Sequence, residues 1–373
     1  MKKTRKLQEF IALPGLGQLV LSGVRPLIGI LLGLLTGAGL IALTGVDPMD
    51  AYAALLEGSI GSPQSIANVL VRASPLLLGG VGVAIGIKAG VWNIGTEGYM
   101  YAGAIGATAV GIIPLPVPPI VHIVLAILAG MLLAAVWGLG PAYLRAYRGV
   151  NEVVTTIMMN YVAIFFTSWL VHEPQPMAEP GSFFPMSKIL APTAKLPILI
   201  SGTSLHPGFI IGILACILFF LAIRFTPFGF RTRMLGANPE AARYAGVNVK
   251  RYIVFALVIG ALMGGVAGAT EVMGLKNRLF MDFVAGVGYE SVAVALLAGG
   301  NPLGVIASAL FFSALKAGGA TMSIQTGVGA PMTIVIEALC VLFVIAVGYG
   351  ERKRLERVDK AKKEGEEVKK YVS

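Results

Sequence analysis

Charge is scarce in this chain. Asp, Glu, Lys and Arg make up 13% of its 373 residues, against roughly 25% in a soluble domain, while 56% are hydrophobic and the mean hydropathy is +0.81. A water-soluble domain of this size would lack the groups that keep a surface wet, so lipid is the expected solvent for most side chains. Cysteine is equally scarce. Cys216 and Cys340 lie inside apolar runs, with no CxxC and no Cys/His cluster. That argues against a disulfide framework or a zinc site and reads both as small buried apolar side chains. His122, His172 and His206 are too far apart in sequence to suggest a metal centre. There is no GxxxxGK[ST], and Lys88 and Lys276 follow Ile87 and Leu275 rather than a glycine loop. No GxGxxG opens a helix after a strand, and no nucleophile–base pair stands out. The chain is therefore expected to be no enzyme, to carry no cofactor or metal, and not to hydrolyse ATP itself.

The net charge of +10 could point to nucleic acid, but its distribution argues otherwise. Nine of the 29 Lys and Arg fall between Arg352 and Lys370, and most of the rest sit in short segments between apolar runs. This is topogenic charge rather than a binding face. No nucleic-acid partner is expected. The N-terminus carries Lys2, Lys3, Arg5 and Lys6 but no strong apolar stretch before Arg25 and no small-residue cleavage site, so no cleaved signal peptide is expected.

What is present is a series of apolar runs near the 20 or so residues a membrane-spanning helix needs. Ten are counted: 27–45, 66–88, 95–113, 119–142, 152–171, 208–225, 252–271, 284–300, 303–320 and 331–349. The expected fold is all-α, a polytopic transmembrane helical bundle. Residues 1–26 form an N-terminal segment, 27–349 the membrane domain with a polar insertion at 226–251, and 350–373 a basic tail. With the N-terminus in the cytoplasm, 23 of the 29 Lys and Arg fall on that side and only Lys188, Lys195, Lys276 and Arg278 on the other. Arg72 and Lys316 lie within spans. Both termini are then cytoplasmic in a multi-pass protein of the inner membrane of a bacterium or archaeon. The mixed-charge tail reads as a solvated topology anchor, with attraction to anionic membrane lipid the other reading. Glycines recur every four residues in three spans (Gly29, Gly33, Gly37; Gly82, Gly86, Gly90; Gly260, Gly264, Gly268), the pattern of close helix packing.

Four segments carry polar chemistry. In 226–251 the turn Gly236-Ala-Asn238-Pro239 leads into a short helical stretch, Glu240-Ala241-Ala242-Arg243-Tyr244, which Gly246 ends. A short charged helix there suits docking of a cytoplasmic partner or lies on lipid headgroups; the residues leave both open. In 89–99, Asn93, Thr96 and Glu97 are interleaved with Gly90, Gly95 and Gly98. A carboxylate near membrane depth is a functional candidate, and a cap by Glu97 on the N-terminus of the following helix is the structural alternative. In 149–161, Asn151 is placed to cap a span. Thr156 and Asn160, four apart, share a face that lines either a path or a helix–helix contact. In 286–304, Glu290 lies near a span end and Asn301-Pro302 forms a turn. Glu271, Arg72 and Lys316 are further charges in or near the membrane, and pairing would lower their cost.

These segments resemble the integral-membrane permeases of ABC importers in the branched-chain amino acid, ribose and nucleoside superfamily, and most of all the nucleoside (simple sugar) branch. The resemblance rests on GVDPMDAYAALLEG (45–58), NIGTEGYMYAGA (93–104), NEVVTTIMMNY (151–161), GANPEAARYAGVNV (236–249) and VALLAGGNPLGV (294–305), and covers nearly the whole chain. It implies two topologically inverted halves around a central path for nucleosides. It implies three partners: a two-cassette ATPase in the cytoplasm, a second related permease or a second copy of the chain, and a lipoprotein that binds substrate. Gly236, Asn238, Pro239, Glu240, Ala241, Ala242, Arg243, Tyr244 and Gly246 would form the ATPase-coupling segment. Asn93, Glu97, Tyr99, Thr156, Asn160 and Glu290 are the candidates for the translocation path. Tyr99 stands where the family's NIGxEGQ pattern commonly has Gln. A ribose or simple-sugar permease is the alternative within the class. An ion-coupled secondary transporter using Glu97, Glu271 or Glu290 is the alternative outside it.

Overall fold

The computed structural model describes residues 16–347, with side chains from 26 onward. Among the described residues there is no strand, only isolated bridges at Ala178–Ser187 and Met186–Phe280. The helices are α1 Leu16–Leu43, α2 Pro48–Ile60, α3 Pro63–Lys88, α4 Thr96–Gly111, α5 Pro119–Arg148, α6 Glu152–Val171, α7 Gly208–Phe225, α8 Pro227–Ala237, α9 Pro239–Tyr244, α10 Val249–Glu271, α11 Val287–Leu297, α12 Pro302–Thr326 and α13 Pro331–Val347. A π-helical turn, Val272–Lys276, extends α10.

Every one of the ten expected spans coincides with a helix. Seven helices among the described residues are long and apolar enough to cross a membrane, which makes this an all-α polytopic bundle. The shorter ones have local causes. α11 was expected over 284–300, but Ala285 and Gly286 take left-handed φ of 50° and 89° ahead of it, and Gly299 and Gly300 do so behind it. Backbone in that region cannot continue a right-handed helix. α4 begins only at Thr96 because 89–95 turns back on itself. α1 begins at Leu16, ahead of the expected boundary at 26. Residues 1–15 of the expected N-terminal segment 1–26, and the whole basic tail 350–373, lie outside the described residues. α8 was not expected; its residues read as part of a connection.

The chain divides into two compact units. The first holds α1, the start of α2, the last turn of α12 and α13. Here the four-residue glycine ridge of α1 meets α13: a Cβ on Gly33 would stand 2.6 Å from Cys340 Cα, and one on Gly37 2.8 Å from the Ile336 side chain. The second unit, 54–321, holds the rest. Its centre is α3, α4 and α10. In α3, 83% of the apolar window is buried, against 22% in α7 at the periphery. Leu125, Leu128, Leu132 and Val136 of α5 face outward, as a helix solvated by lipid requires. Small residues let the central backbones approach: a Cβ on Gly130 would stand 2.6 Å from Gly103 O, and one on Gly265 2.9 Å from Gly130 O.

Two rims follow from this alternation. Lys88, Arg148, Glu152 and the 226–251 segment gather at one, where Ala89, Val91, Ala142, Leu235, Ala242 and Val247 share a hydrophobic cluster. The 172–207 connection covers the other. There the Leu190 N–H donates to Asn277 O (3.1 Å), and the Leu196 N–H to Met273 O (2.9 Å).

Candidate functional site

The break between α3 and α4 lies toward the first rim. Asn93 is 2% exposed, and its Oδ1 accepts the Gly95 N–H at 3.1 Å, which closes the turn. Glu97, also 2% exposed, sits in the first turn of α4 but does not cap that helix. Its carboxylate accepts the N–H of Gly286 (2.9 Å, Oε1) and of Gly288 (2.8 Å, Oε2) at the start of α11. A carboxylate is well placed there, because the first amides of a helix have no partner of their own and carry its positive pole. So the carboxylate of one broken segment holds the helix that starts in the other.

Asn160 of α6 fastens the same break. Its Oδ1 accepts the Gly98 N–H (2.9 Å), and its Nδ2 donates to Ile94 O (2.9 Å) and Tyr289 Oη (3.3 Å). Thr156, one turn earlier, returns its hydroxyl to Glu152 O at 2.7 Å. Asn151 caps α6, accepting the Val153 N–H at 2.9 Å. Glu152 accepts the Trp92 N–H and faces Arg145 Nε, both at 3.1 Å. Tyr99 packs against α5 and α10, where Ala102, Ala134 and Ala261 surround it. Asn93, Glu97, Tyr99, Thr156 and Asn160 are thus brought into one buried neighbourhood, and none of them borders the cavity.

The cavity lies toward the other rim and has a volume of about 370 Å³. α3, the end of α10, its π turn, the irregular stretch 277–286, the start of α11 and α12 build its wall. Of the six translocation-path candidates, only Glu290 lines it. Arg72, Lys276 and Lys316 join it as cations, and Glu271 and Asp282 as carboxylates. Lys316 and Glu290 are paired, with side chains 27% and 22% exposed. Glu271 lies in the field of Lys276, Arg72 and Lys316, and its Oε2 accepts no hydrogen bond from a described residue. The wall is also where the backbone is strained. Asn277, Asp282 and Ala285 are the non-glycine residues with positive φ among those described, at 58°, 58° and 50°. Such conformations persist only where the surroundings impose them. The preceding stretch is tied down, because the Ser187 N–H donates to Leu279 O at 2.7 Å and the Leu279 N–H to Ser187 Oγ at 2.9 Å. Arg72 and Lys316 were legible as charges inside apolar runs, a signal of function in itself. Lys276 and Asp282 carried no such signal, because both fall in the connection between two expected spans.

At the first rim, α8 and α9 form a bent pair. Asn238 ends α8 and caps α9, accepting the N–H of Glu240 (2.9 Å) and Ala241 (3.1 Å), and Pro239 takes the first helical position. Gly246, at φ 80°, lets the chain leave. In this segment Gly236, Asn238, Pro239, Glu240, Ala241, Arg243, Tyr244 and Gly246 are exposed, Tyr244 to 94%. Ala242 alone turns inward, into the cluster with Ala89 and Val91. Gly90 and Gly236 meet backbone to backbone, so that a Cβ on Gly90 would stand 3.1 Å from Gly236 Cα. The segment is thus a rigid, exposed knuckle seated on the 89–91 turn. The signal for α8 was present in Thr226-Pro227. The Thr226 hydroxyl accepts the Gly229 N–H at 3.2 Å, and the proline takes the first helical position.

Comparison with known proteins places this architecture. Among curated relatives, the nucleoside ABC transporter permease protein NupB of Lactococcus lactis is 31% identical over 92% of this chain and 97% of its own length. The guanosine ABC transporter permease protein NupP of Bacillus subtilis is 32% identical over 86% of this chain and 92% of its own. The glucose ABC transporter permease protein TsgB13 of Haloferax volcanii is 32% identical over 88% and 89%. No solved structure matches. A family profile described as branched-chain amino acid transport system / permease component matches residues 65–347, which takes in the buried break, the cavity and the exposed knuckle alike, and the chain belongs to that family.

Proposed function

We propose that this chain is the transmembrane subunit of an ATP-driven importer whose cargo is a nucleoside. A separate ATPase in the cytoplasm would drive it, and a separate substrate-binding protein outside would feed it. The rim bearing Lys88, Arg148 and the 226–251 segment is then cytoplasmic, as the Lys and Arg bias requires, and the cavity opens toward the outside. The observation that carries this reading is the knuckle at 236–246. A stand-alone transporter has no use for a capped, exposed helix set on a rigid turn, whereas a subunit moved by another protein needs a firm handle.

The contacts supply a route for that movement. A push on α9 reaches the 89–91 turn through Ala242 and the Gly90–Gly236 contact. The turn leads directly into Asn93 and Glu97. Glu97 holds the start of α11, and with it the strained wall of the cavity. Closure of the ATPase would in this way reach the chamber that holds the cargo. The Glu290–Lys316 pair and the Glu271 cluster are charges whose partners can be exchanged as the wall shifts.

The test is uptake of labelled guanosine by cells expressing the chain with its partner subunits, beside a strain whose ATPase cannot hydrolyse ATP. ATP-dependent uptake suppressed by excess adenosine and not by ribose is expected. Replacing 236–246 with a flexible linker should abolish uptake while membrane insertion persists; unchanged uptake would sink the coupling role. The glucose relative, as similar as the nucleoside ones, supports a simple-sugar reading, and ATP-dependent uptake of sugar but not guanosine would establish it. Uptake that survives loss of the ATPase and collapses with the proton gradient would overturn the importer altogether.

A further inference from the structure

We propose that the ends of α5 and α10 at the first rim form a seat for one phospholipid with a net-anionic headgroup, its acyl chains along α5 and its phosphate beside Lys250. The seat depends on the chain's spanning a bilayer and not on what it carries. Leu132, Val136, Leu139, Tyr143 and Tyr147 recur at three- and four-residue intervals, so they share one face of α5, and all are exposed. In a spanning helix that face meets lipid. The first three are aliphatic. The last two stack on each other, with ring centroids 5.1 Å apart. The face thus changes from hydrocarbon to phenol just before α5 ends at Arg148, the level at which acyl chains give way to headgroups. Lys250, in the first turn of α10, holds its ammonium over the Tyr147 ring, 5.3 Å from the centroid. A cation over an aromatic face is oriented by it but keeps its charge. Among the described residues no carboxylate lies within ion-pair distance of Lys250. Arg145 already engages Glu152, and from Arg224 to Arg251 the sequence has six Lys and Arg against the single carboxylate of Glu240. Arg148 and Arg251, exposed and next in sequence to Tyr147 and Lys250, add to the same positive field. An anionic phospholipid supplies both parts that this face calls for. Its chains cover the aliphatic stretch, and its phosphate can accept from the Lys250 ammonium and the two tyrosine hydroxyls. In a zwitterionic lipid the headgroup's own ammonium offsets the phosphate, so the uncompensated field selects the anionic kind. The chain re-enters the membrane from the knuckle at Val249, one residue before Lys250, so a lipid held here braces the foot of the knuckle.

The experiment reads lipid contact at this face directly. Gly140 lies on it, exposed, with nothing within 4 Å of a Cβ built there, whereas Cys216 and Cys340 are both buried. Gly140→Cys in the full-length chain is labelled with bimane and placed in phosphatidylcholine vesicles. These contain a rising fraction of brominated phosphatidylglycerol or, in parallel, of brominated phosphatidylcholine, and quenching of the bimane is measured. Half-quenching by the phosphatidylglycerol is expected at a mole fraction about fivefold lower, the preference that one basic residue at an anionic headgroup gives. Lys250→Gln should bring the two curves together, and Lys250→Arg should keep them apart. Salt at about 1 M should narrow the gap in the parent chain. Lys250 is exposed, so its replacement leaves the packing of α10 in place. Coincident curves in the parent would mean ordinary boundary lipid and overturn the seat. A gap that persists in Lys250→Gln would overturn the role of Lys250. Quenching by neither lipid would mean that protein covers this face, a second copy of the chain first among the candidates, and would overturn the seat as well. None of these results bears on the importer reading, since no transport is measured.

Discussion

Two interruptions in the helical pattern of this chain use similar ingredients and come to opposite ends. Both 89–98 and 277–288 are rich in glycine and polar side chains, both lie between apolar segments, and Glu97 joins them. In the first, nearly every freed group is answered from within, by Asn93, Asn160 and Glu152. The polar residues there are almost wholly buried. In the second, the strain is open to view. A π turn and three left-handed non-glycine residues lead into a wall of charges around a cavity. A buried break whose backbone is tied by side chains from neighbouring helices is a rigid part, even though Asn93 Nδ2 and Tyr99 Oη find no partner among the described residues, while a break that borders a cavity with exchangeable partners is a place for change. Polar residues beside membrane depth therefore do not mark a path by themselves; what matters is whether protein has already satisfied them.

That contrast can be broken most forcefully at Glu97. Glu97→Ala would leave the amides of Gly286 and Gly288 without an acceptor inside the protein. At about 1–3 kcal/mol for each buried unsatisfied group, and with the loss of a carboxylate from a helix N-terminus, the expected destabilisation is about 3 kcal/mol or more. Thermal unfolding of the purified protein in detergent checks this. An unfolding midpoint that stays where it was would mean that α11 does not depend on this clamp. Asn160→Leu should act in the same direction but less, by about 2 kcal/mol. It orphans the Gly98 N–H and frees Ile94 O while leaving the Glu97 clamp in place. If Asn160→Leu cost more than Glu97→Ala, the turn rather than the start of α11 would be the part that holds the two breaks together.

The spanning helices and their order were legible in the sequence because lipid demands long apolar runs and little else, whereas the short helices α2 and α8 were not. All ten expected spans fall on helices. The knuckle was legible for a different reason: Asn238-Pro239 and Gly246 are local signals, complete within nine residues. The partners of Glu97 and Asn160 were not legible. Gly286 is 189 positions from Glu97, and no local pattern indicates which helix N-terminus a carboxylate will reach. The reading of Glu97 as a cap identified the chemistry but assigned it to the following helix, α4, whereas the carboxylate holds α11. The cavity was the least legible feature. Its charges are contributed by α3, the end of α10 and its π turn, the 277–286 stretch, α11 and α12, and only their meeting gives them a function. Glu290 was singled out, but Asp282 and Lys276 had nothing in their surroundings to separate them from ordinary loop residues.

The smallest expected effect on stability is also the sharpest test of the difference between the two breaks, and it lies at Ala285. An alanine at φ 50° is held about 1 kcal/mol above its relaxed state. Glycine takes that conformation without strain, but it loses more backbone freedom on folding, a penalty of about 0.5–1 kcal/mol. The two terms nearly cancel, so Ala285→Gly should leave stability within about 1 kcal/mol of the parent. Its consequence should fall on transport instead. If the strain in 282–285 helps the wall to switch between two arrangements, relieving it in one should change the rate of ATP-dependent uptake at saturating substrate, while the level of protein in the membrane stays constant. Equal stability with an altered uptake rate would mark this break as the moving one. A loss of more than about 2 kcal/mol would mean that the Ala285 methyl is a packing element after all, and the wall would then be as rigid as the clamp at Glu97.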